Sequence, residues 1–222
     1  MTAQPRDLPL FPLNTVLFPG MILPLHIFEP RYKLMIGRCI SDNDPFGVVL
    51  IRSGQEVGGP ATPHHVGTSA YIRKVDQLSD GRMNIECVGY QRFRIQEITS
   101  NSPYLVGLTE PMPALDNDAP EVPGLAATLR GLLPDYLRLV SQATGKSLPI
   151  DTLPAQGDAL AYWTAIIAPL DISDKQSLLE CEQLTRLLEM EIGLIRKETL
   201  LLNALLYTES NRPDQPASFS RN

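Results

Sequence analysis

Prolines cut the first apolar stretch of the chain into pieces too short for a helix. Between Leu8 and Tyr32, Pro9, Pro12, Pro19, Pro24 and Pro30 interrupt a run rich in Leu, Ile and Phe. Each proline fixes φ and removes a backbone donor, so a long helix is excluded here. The apolar residues between them are nevertheless too numerous for a solvated loop. This predicts a strand, a tight turn at Phe18-Pro19-Gly20 and a second strand, all packed on a core.

Length and composition narrow the class. A chain of 222 residues buries roughly 70% of its unfolded surface and needs no metal or disulfide staple. Three cysteines without C-x-x-C spacing do not describe a disulfide framework. Cys39 lies at helical spacing with Tyr32, Met35 and Ile36, and Cys87 alternates with Met83 and Ile85, so both read as small buried apolar groups. This usage fits a reducing cytoplasm. No apolar run approaches the roughly 20 residues that span a bilayer, so no membrane partner is expected. The net charge of −6 weighs against a protein devoted to nucleic acid, whose affinity rests on neutralising phosphates.

The first half reads as β-rich, with one helix opening at Pro30 and running to Ser41. Phe46–Ile51 has the continuous apolarity of a buried strand, and Ser53–Pro63 is expected to be a loop. Val66–Val75 and Met83–Ile98 flank Asp80-Gly81, a tight-turn signal for a hairpin. Gly89 interrupts the alternation of the second strand, which predicts a bulge there. Tyr104–Leu108 gives one further strand. Ala114–Pro123 combines proline with acidic residues and reads as a linker. Helical periodicity follows, with Pro134 kinking or splitting the first helix and a second helix over Ala155–Ile167. Capping-box candidates at Ser173 and Ser177 start a last helix that reaches about Tyr207. The expected division is therefore a β-rich part over 1–113, a linker over 114–123, a helical part over 124–208 and a polar tail over 209–222 without fixed structure.

Chemical motifs are mostly excluded. Gly145-Lys146-Ser147 resembles the end of a phosphate loop, but Val140 stands where its first glycine is needed. A helix C-terminus at Gly145 is the better reading. His26-x-x-Glu29 lacks a second histidine at helical spacing, and His64 and His65 would point to opposite faces of an extended segment. No metal and no cofactor is therefore expected. There is no Gly-x-Ser-x-Gly elbow, and none of Lys33, Lys74, Lys146, Lys175 or Lys197 has the context of a serine's base. The chain reads as a non-enzyme. One basic cluster stands on the hairpin: Arg73, Lys74, Arg82, Arg92 and Arg94. Arg82, Arg92 and Arg94 are expected on an outer face, interleaved with Asp76, Asp80 and Glu86, which favours cross-strand ion pairing over RNA binding.

Several segments together resemble the N-terminal, substrate-binding domain of the Lon protease family. They are Leu8-Pro-Leu-Phe-Pro12, Val16-Leu-Phe-Pro-Gly20, Leu23-Pro-Leu-His-Ile-Phe-Glu-Pro-Arg-Tyr32, Gly67-Thr-Ser-Ala-Tyr-Ile72 and Val88-Gly-Tyr-Gln-Arg-Phe-Arg-Ile95. The third of these is similar to the version in free-standing bacterial members. The resemblance extends over roughly residues 7 to 207, about one domain. It implies an α+β fold: a coiled β-sheet or pseudo-barrel of the PUA-like kind with one helix, then a C-terminal helical bundle ending in a long helix. It also implies recognition of unfolded or extended polypeptide, or of a protein partner, without ATPase or protease chemistry in these residues. His26, Phe28, Glu29, Arg31 and Tyr32 are the peptide-binding candidates, because they set aromatic faces and charge beside a proline-bounded turn. The alternative implied by a PUA-like fold is RNA binding through the basic hairpin.

Overall fold

The computed structural model describes residues 4–59, 61–146, 148 and 152–210. Six strands form the first half: β1 (Arg6–Leu13), β2 (Ile22–Ile27), β3 (Phe46–Gly54), β4 (Ala61–Gln77), β5 (Met83–Ser100) and β6 (Leu105–Pro111), with α1 (Pro30–Asp42) between β2 and β3. The sheet order is β2-β5-β4-β3-β1-β6, and β5 also pairs with β6. That extra pairing closes the sheet into a pseudo-barrel. It leaves β2 as the one described strand with a single neighbour. β1 runs parallel to β3 and antiparallel to β6.

The proline-rich opening folds as its sequence predicts. Pro19 and Gly20 form the turn, Gly20 has φ of +80°, and the Met21 N–H donates to the Phe18 carbonyl at 3.1 Å. The two strands it joins do not pair with each other, because β2 pairs with β5 instead. Pro30 begins α1, whose Tyr32, Met35, Ile36 and Cys39 are buried. Cys39 and Cys87 lie in the cluster formed by this helix and the sheet, and burial pushes their thiols up to about 11 and about 12. Neither is a nucleophile at neutral pH. A separate cluster, Leu8, Leu10, Val49, Phe93 and Ile95, joins β1, β3 and β5.

Four helices complete the fold: α2 (Val122–Thr144), α3 (Gly157–Ile167), α4 (Ile172–Glu180) and α5 (Leu184–Ser210). Pro134 lies inside α2 without splitting it. Gly145 ends that helix in the left-handed region, with its N–H on the Ser141 carbonyl, so the glycine of Gly145-Lys146-Ser147 is a helix stop. The stretch expected as one last helix is two. Cys181 leaves helical geometry after α4, and Ser173 and Gln176 lie inside α4 rather than capping a longer helix. The expected loop over Ser53–Pro63 is shorter than its glycines suggested, since β3 reaches Gly54 and β4 begins at Ala61. The tail beyond 210, expected to lack fixed structure, lies outside the described residues.

The two halves share one core. Val16, Phe18, Leu50, Val66, Met112 and Leu115 from the sheet side cluster with the apolar faces of the four helices. Residues 114–123 are consequently not a free linker. Leu115 and Val122 are buried, and the Asn117 side chain accepts the Asp158 N–H at 3.0 Å, fastening the segment to the first turn of α3. At Gly157, an added Cβ would stand 2.8 Å from Val122 Cγ1 and 3.3 Å from Leu184 Cδ2. The first residues of α2 and α5 therefore meet at one place.

Candidate functional site

Two features of β5 build the junction between sheet and helices. The first is an extra residue. Thr68 pairs with Arg92 and Ala70 with Gly89, so two residues of β5 oppose one of β4. The Ser69 hydroxyl donates to the Gln91 carbonyl at 3.0 Å and accepts the Gln91 N–H at 3.2 Å, so the bulged backbone is satisfied. Bulges re-aim side chains, and here Tyr90 stands 63% exposed. Gly89 beside it receives the opening turn. Its carbonyl accepts the Gly20 N–H and its N–H donates to the Met21 carbonyl. A Cβ at Gly89 would lie 2.2 Å from the Phe18 carbonyl oxygen, so only glycine admits this approach.

The second feature is Arg92, and here the sequence reading is corrected. Arg92 does not lie on a solvated face; it is only 3% exposed. Its guanidinium donates to the carbonyls of Leu179 at 3.0 Å, Cys181 and Pro113 at 3.2 Å. The first two are freed where α4 ends, and a cation suits the negative end of a helix. Simple alternation along β5 does not survive the bulge, which puts Arg92 on the same face as Gly89 and Cys87. The helical half packs over Arg92, and Gln176 adds a second tie by donating to the Val66 carbonyl at 3.1 Å.

Between these ties lies a cavity of about 470 Å³. Its walls come from the opening turn (Pro19, Gly20), the bulge (Tyr90, Gln91, Arg92), the chain after β6 (Met112–Leu115) and α3 (Asp158, Ala159, Tyr162, Trp163, Ile166). It is mostly apolar and rich in aromatic faces. Of its residues only Arg92 was among the predicted contact residues, as part of the basic hairpin. The available signal was the pair Tyr162-Trp163 on a helix, which helical spacing alone reads as core.

Four of the five predicted peptide-binding residues come together at a second, smaller hollow of about 230 Å³, lined by His26, Phe28, Glu29 and Tyr32 with Phe11, Leu13, Pro24, Leu25, Ile27, Glu56 and Val57; Arg31 does not line it. Their roles differ. Tyr32 is buried with its ring on Phe11, centroids 4.0 Å apart, and the Arg31 guanidinium lies 4.5 Å above its ring. Burial raises its phenol. Glu29 and Arg31 pair at 3.0 Å, and they also hold the loop after β3 through the Gly58 N–H and the Gly59 carbonyl. His26 Nδ1 lies 2.6 Å from Asn84 Oδ1, and its ring is stacked near Phe28, which is 44% exposed. Phe28 and His26 are thus the accessible members, Tyr32 and Glu29 belong to the wall, and Arg31 braces both from outside the lining. The unpaired edge of β2 leads from the turn beside the larger cavity to this hollow.

The basic hairpin is not a free cationic face. Lys74 pairs with Asp76 at 2.8 Å, Arg82 with Asp80 at 2.6 Å and Arg94 with Glu182 at 2.6 Å; Arg73 is exposed. The hydrogen bond from Arg94 holds the Glu182 carboxyl below its usual range. Among the described residues, no group of three or more His, Cys, Asp or Glu side chains could hold a metal ion. No described helix is long and apolar enough to cross a membrane.

Residues 7–197 match the family model described as the ATP-dependent protease La (LON) substrate-binding domain. The chain belongs to this family. The Lon protease of Anaeromyxobacter dehalogenans is 28% identical over 204 residues, covering 89% of this chain and 24% of the relative. Lon protease 2 of Syntrophobacter fumaroxidans is 30% identical over 192 residues, covering 83% of this chain and 24% of the relative. The chain thus spans about a quarter of the length of these relatives, and the matched region is the substrate-binding domain alone. Among solved structures, the Lon N-terminal domain protein from Xanthomonas campestris superposes with a TM-score of 0.64 at 29% identity, covering 85% of this chain and 98% of that one. The N-terminal domain of Mycobacterium avium complex Lon protease shares the fold, with a TM-score of 0.67 at 19% identity, covering 86% of this chain and 98% of that one. The α+β architecture of a sheet followed by helices is that of Lon N-terminal domains.

Proposed function

We propose that this Lon-family domain is a non-catalytic polypeptide-binding module, and that the cavity between sheet and helices takes an apolar side chain of an extended segment. The observation that carries this reading is the cavity of about 470 Å³ whose walls include Tyr90, Met112, Tyr162 and Trp163. Concave, mostly apolar sites with a few placed polar groups are the usual binding hollows of proteins. Rigid aromatic walls accept varied apolar side chains at little entropic cost. The segment continues along the free edge of β2, where main-chain hydrogen bonds extend the sheet. β2 has six residues, a reach of roughly 20 Å at about 3.3 Å per residue. At the far end Phe28 and His26 meet it, with Glu29, Arg31 and Tyr32 holding that hollow in shape.

The test is binding of a fluorescent, unfolded model polypeptide by anisotropy, with suppression of its aggregation as a second readout. Binding at micromolar concentration that weakens at least fivefold in Tyr90→Ala is expected. Tyr90 is an exposed side chain, so its loss leaves the fold intact, which circular dichroism checks. Unchanged affinity in Tyr90→Ala and in Phe28→Ala would remove both hollows from the reading. RNA binding through Arg73, Lys74, Arg82, Arg92 and Arg94 is the lesser reading, because Arg92 is buried and three of the others are paired with carboxylates.

A further inference from the structure

The smaller hollow at the end of β2 holds oxygen atoms that nothing in the chain uses. Glu29, Tyr32 and Glu56 all line it. Tyr32 is only 5% exposed. Its ring is held by Phe11 and Arg31, and its hydroxyl has no hydrogen-bond partner among the described residues. That hydroxyl is not sealed in, as the Tyr136 hydroxyl is, so it opens on the hollow. Each carboxylate uses one oxygen in the fold. Glu29 Oε2 accepts from Arg31 Nε at 3.1 Å and from the Gly58 N–H at 3.3 Å, and Glu56 Oε2 accepts the Asn14 N–H at 2.9 Å. Oε1 of each has no partner among the described residues. Both carboxylates act on the phenol: burial raises it most, Arg31 opposes that, and Glu29 and Glu56 raise it further.

The neighbouring cations are committed elsewhere. Arg31 stands outside the lining, over the Tyr32 ring at 4.5 Å, pairs with Glu29 and donates to the Gly59 carbonyl at 3.3 Å. The Lys33 ammonium lies beside Gly81 in the hairpin turn, and His26 is bonded to Asn84. No arginine or lysine lines the hollow, and Glu56 forms no ion pair among the described residues. Most of the remaining wall is apolar, with Phe11, Leu25 and Ile27.

We infer, resting on the polypeptide-binding reading above, that this hollow takes a lysine side chain of the bound segment. Its methylenes lie along the apolar wall and its ammonium donates to the free oxygens of Glu29, Tyr32 and Glu56. A lysine brings three donors on a flexible stem, which answers three acceptor oxygens beside an apolar wall. Hydrogen bonds with an ionised partner are roughly twice as strong as neutral ones, and a half-enclosed site screens them less than open water does. A carboxylate side chain is repelled from the same place, and an apolar one leaves the oxygens without donors.

Three unstructured peptides test this by fluorescence anisotropy on the full chain. Each has a central Trp and carries lysine, norleucine or acetyl-lysine about six residues to either side, the length of β2. The lysine peptide is expected to bind about tenfold more tightly than the other two, as the loss of one charge-assisted bond implies. Glu56→Gln keeps an acceptor for the Asn14 N–H and removes the charge; it is expected to bring the lysine peptide to the norleucine level. Tyr32→Phe, which keeps the ring on Phe11, is expected to weaken the lysine peptide about threefold and leave the others unchanged. Norleucine binding as tightly as lysine, with both weakened by Phe28→Ala, overturns the ammonium site and leaves the hollow as an apolar subsite. A lysine preference that neither Glu56→Gln nor Tyr32→Phe alters overturns the assignment to this hollow. No binding of any of the three overturns the polypeptide-binding reading as well.

Discussion

Two buried regions of this molecule differ in how they treat buried charge. At the sheet–helix junction Arg92 gives its guanidinium to three carbonyls, Thr68 donates to the Leu17 carbonyl and the Gln176 amide nitrogen reaches the Val66 carbonyl, although the Gln176 amide oxygen is buried without a partner. Inside the helical half, Glu191 of α5 is fully buried, and neither carboxylate oxygen has a hydrogen-bond partner; the Tyr136 hydroxyl of α2 has none either. Burial alone raises the Glu191 carboxyl well above its usual range. Polar groups at the junction thus set how two elements dock, whereas this carboxyl costs stability. A partnered buried charge is strongly missed when removed, and an unpartnered one is not.

Breaking that contrast gives effects of decreasing size. Arg92→Met leaves three carbonyls without a charged donor and is expected to cost about 3–5 kcal/mol in urea unfolding. A loss below 1 kcal/mol would mean that the junction is held by apolar packing alone. Glu191→Leu carries the opposite sign, with an expected gain of about 1–3 kcal/mol at pH 7.

The same carboxyl produces a pH dependence. Its unfolded value is about 4.3 and its folded value lies higher. Between the two, the native state binds more protons than the unfolded state. Stability from this group is therefore greatest below about pH 4.3 and falls as pH rises toward the folded value, by up to about 1.4 kcal/mol per pH unit. Unfolding curves of the native chain and Glu191→Gln between pH 4.5 and 8 should diverge with rising pH, the variant keeping stability that the native chain loses. Parallel curves would place Glu191 in contact with water. Smallest of all is Arg94→Ala. Its exposed pair with Glu182 should leave the unfolding midpoint unchanged within error, although Arg94 stands only two residues from Arg92 on the same strand.

That pair of arginines marks where sequence reading stopped. Alternation along β5 reads Met83, Ile85, Cys87, Phe93 and Ile95 as one buried face; all five are buried, but the bulge shifts the parity, so the first three pack in the cluster with α1 and the last two in the separate one. It assigns Arg92 and Arg94 to a solvated face, and only Arg94 is exposed. It carries no information on which part of that face a helix far along the chain will cover. The opening turn and α1 were legible because proline and glycine act locally through φ and the missing donor. The split between α4 and α5 was not legible, because a long-range partner, Arg92, takes the carbonyls at the break. For the candidate site, His26, Phe28, Glu29 and Tyr32 stand out by residue type and gather at one hollow, which Arg31 does not line. The larger cavity assembles Pro19, Tyr90, Met112 and Trp163 from separate elements, a juxtaposition that exists only after folding.

The register of β1 has a consequence for how the chain is made. One edge of β1 pairs with β3, Leu10 opposite Gly47, and the other waits for β6, Arg6 opposite Thr109. A ribosome adding roughly 5–20 residues per second takes about 5–20 s to supply roughly 100 residues. For that interval an apolar strand has an uncovered edge, the condition under which nascent chains pair wrongly. Pro9, in register with Val106, withholds a donor from the waiting strand. Pro9 thus blunts the waiting edge of the growing chain before it takes its place in the finished sheet.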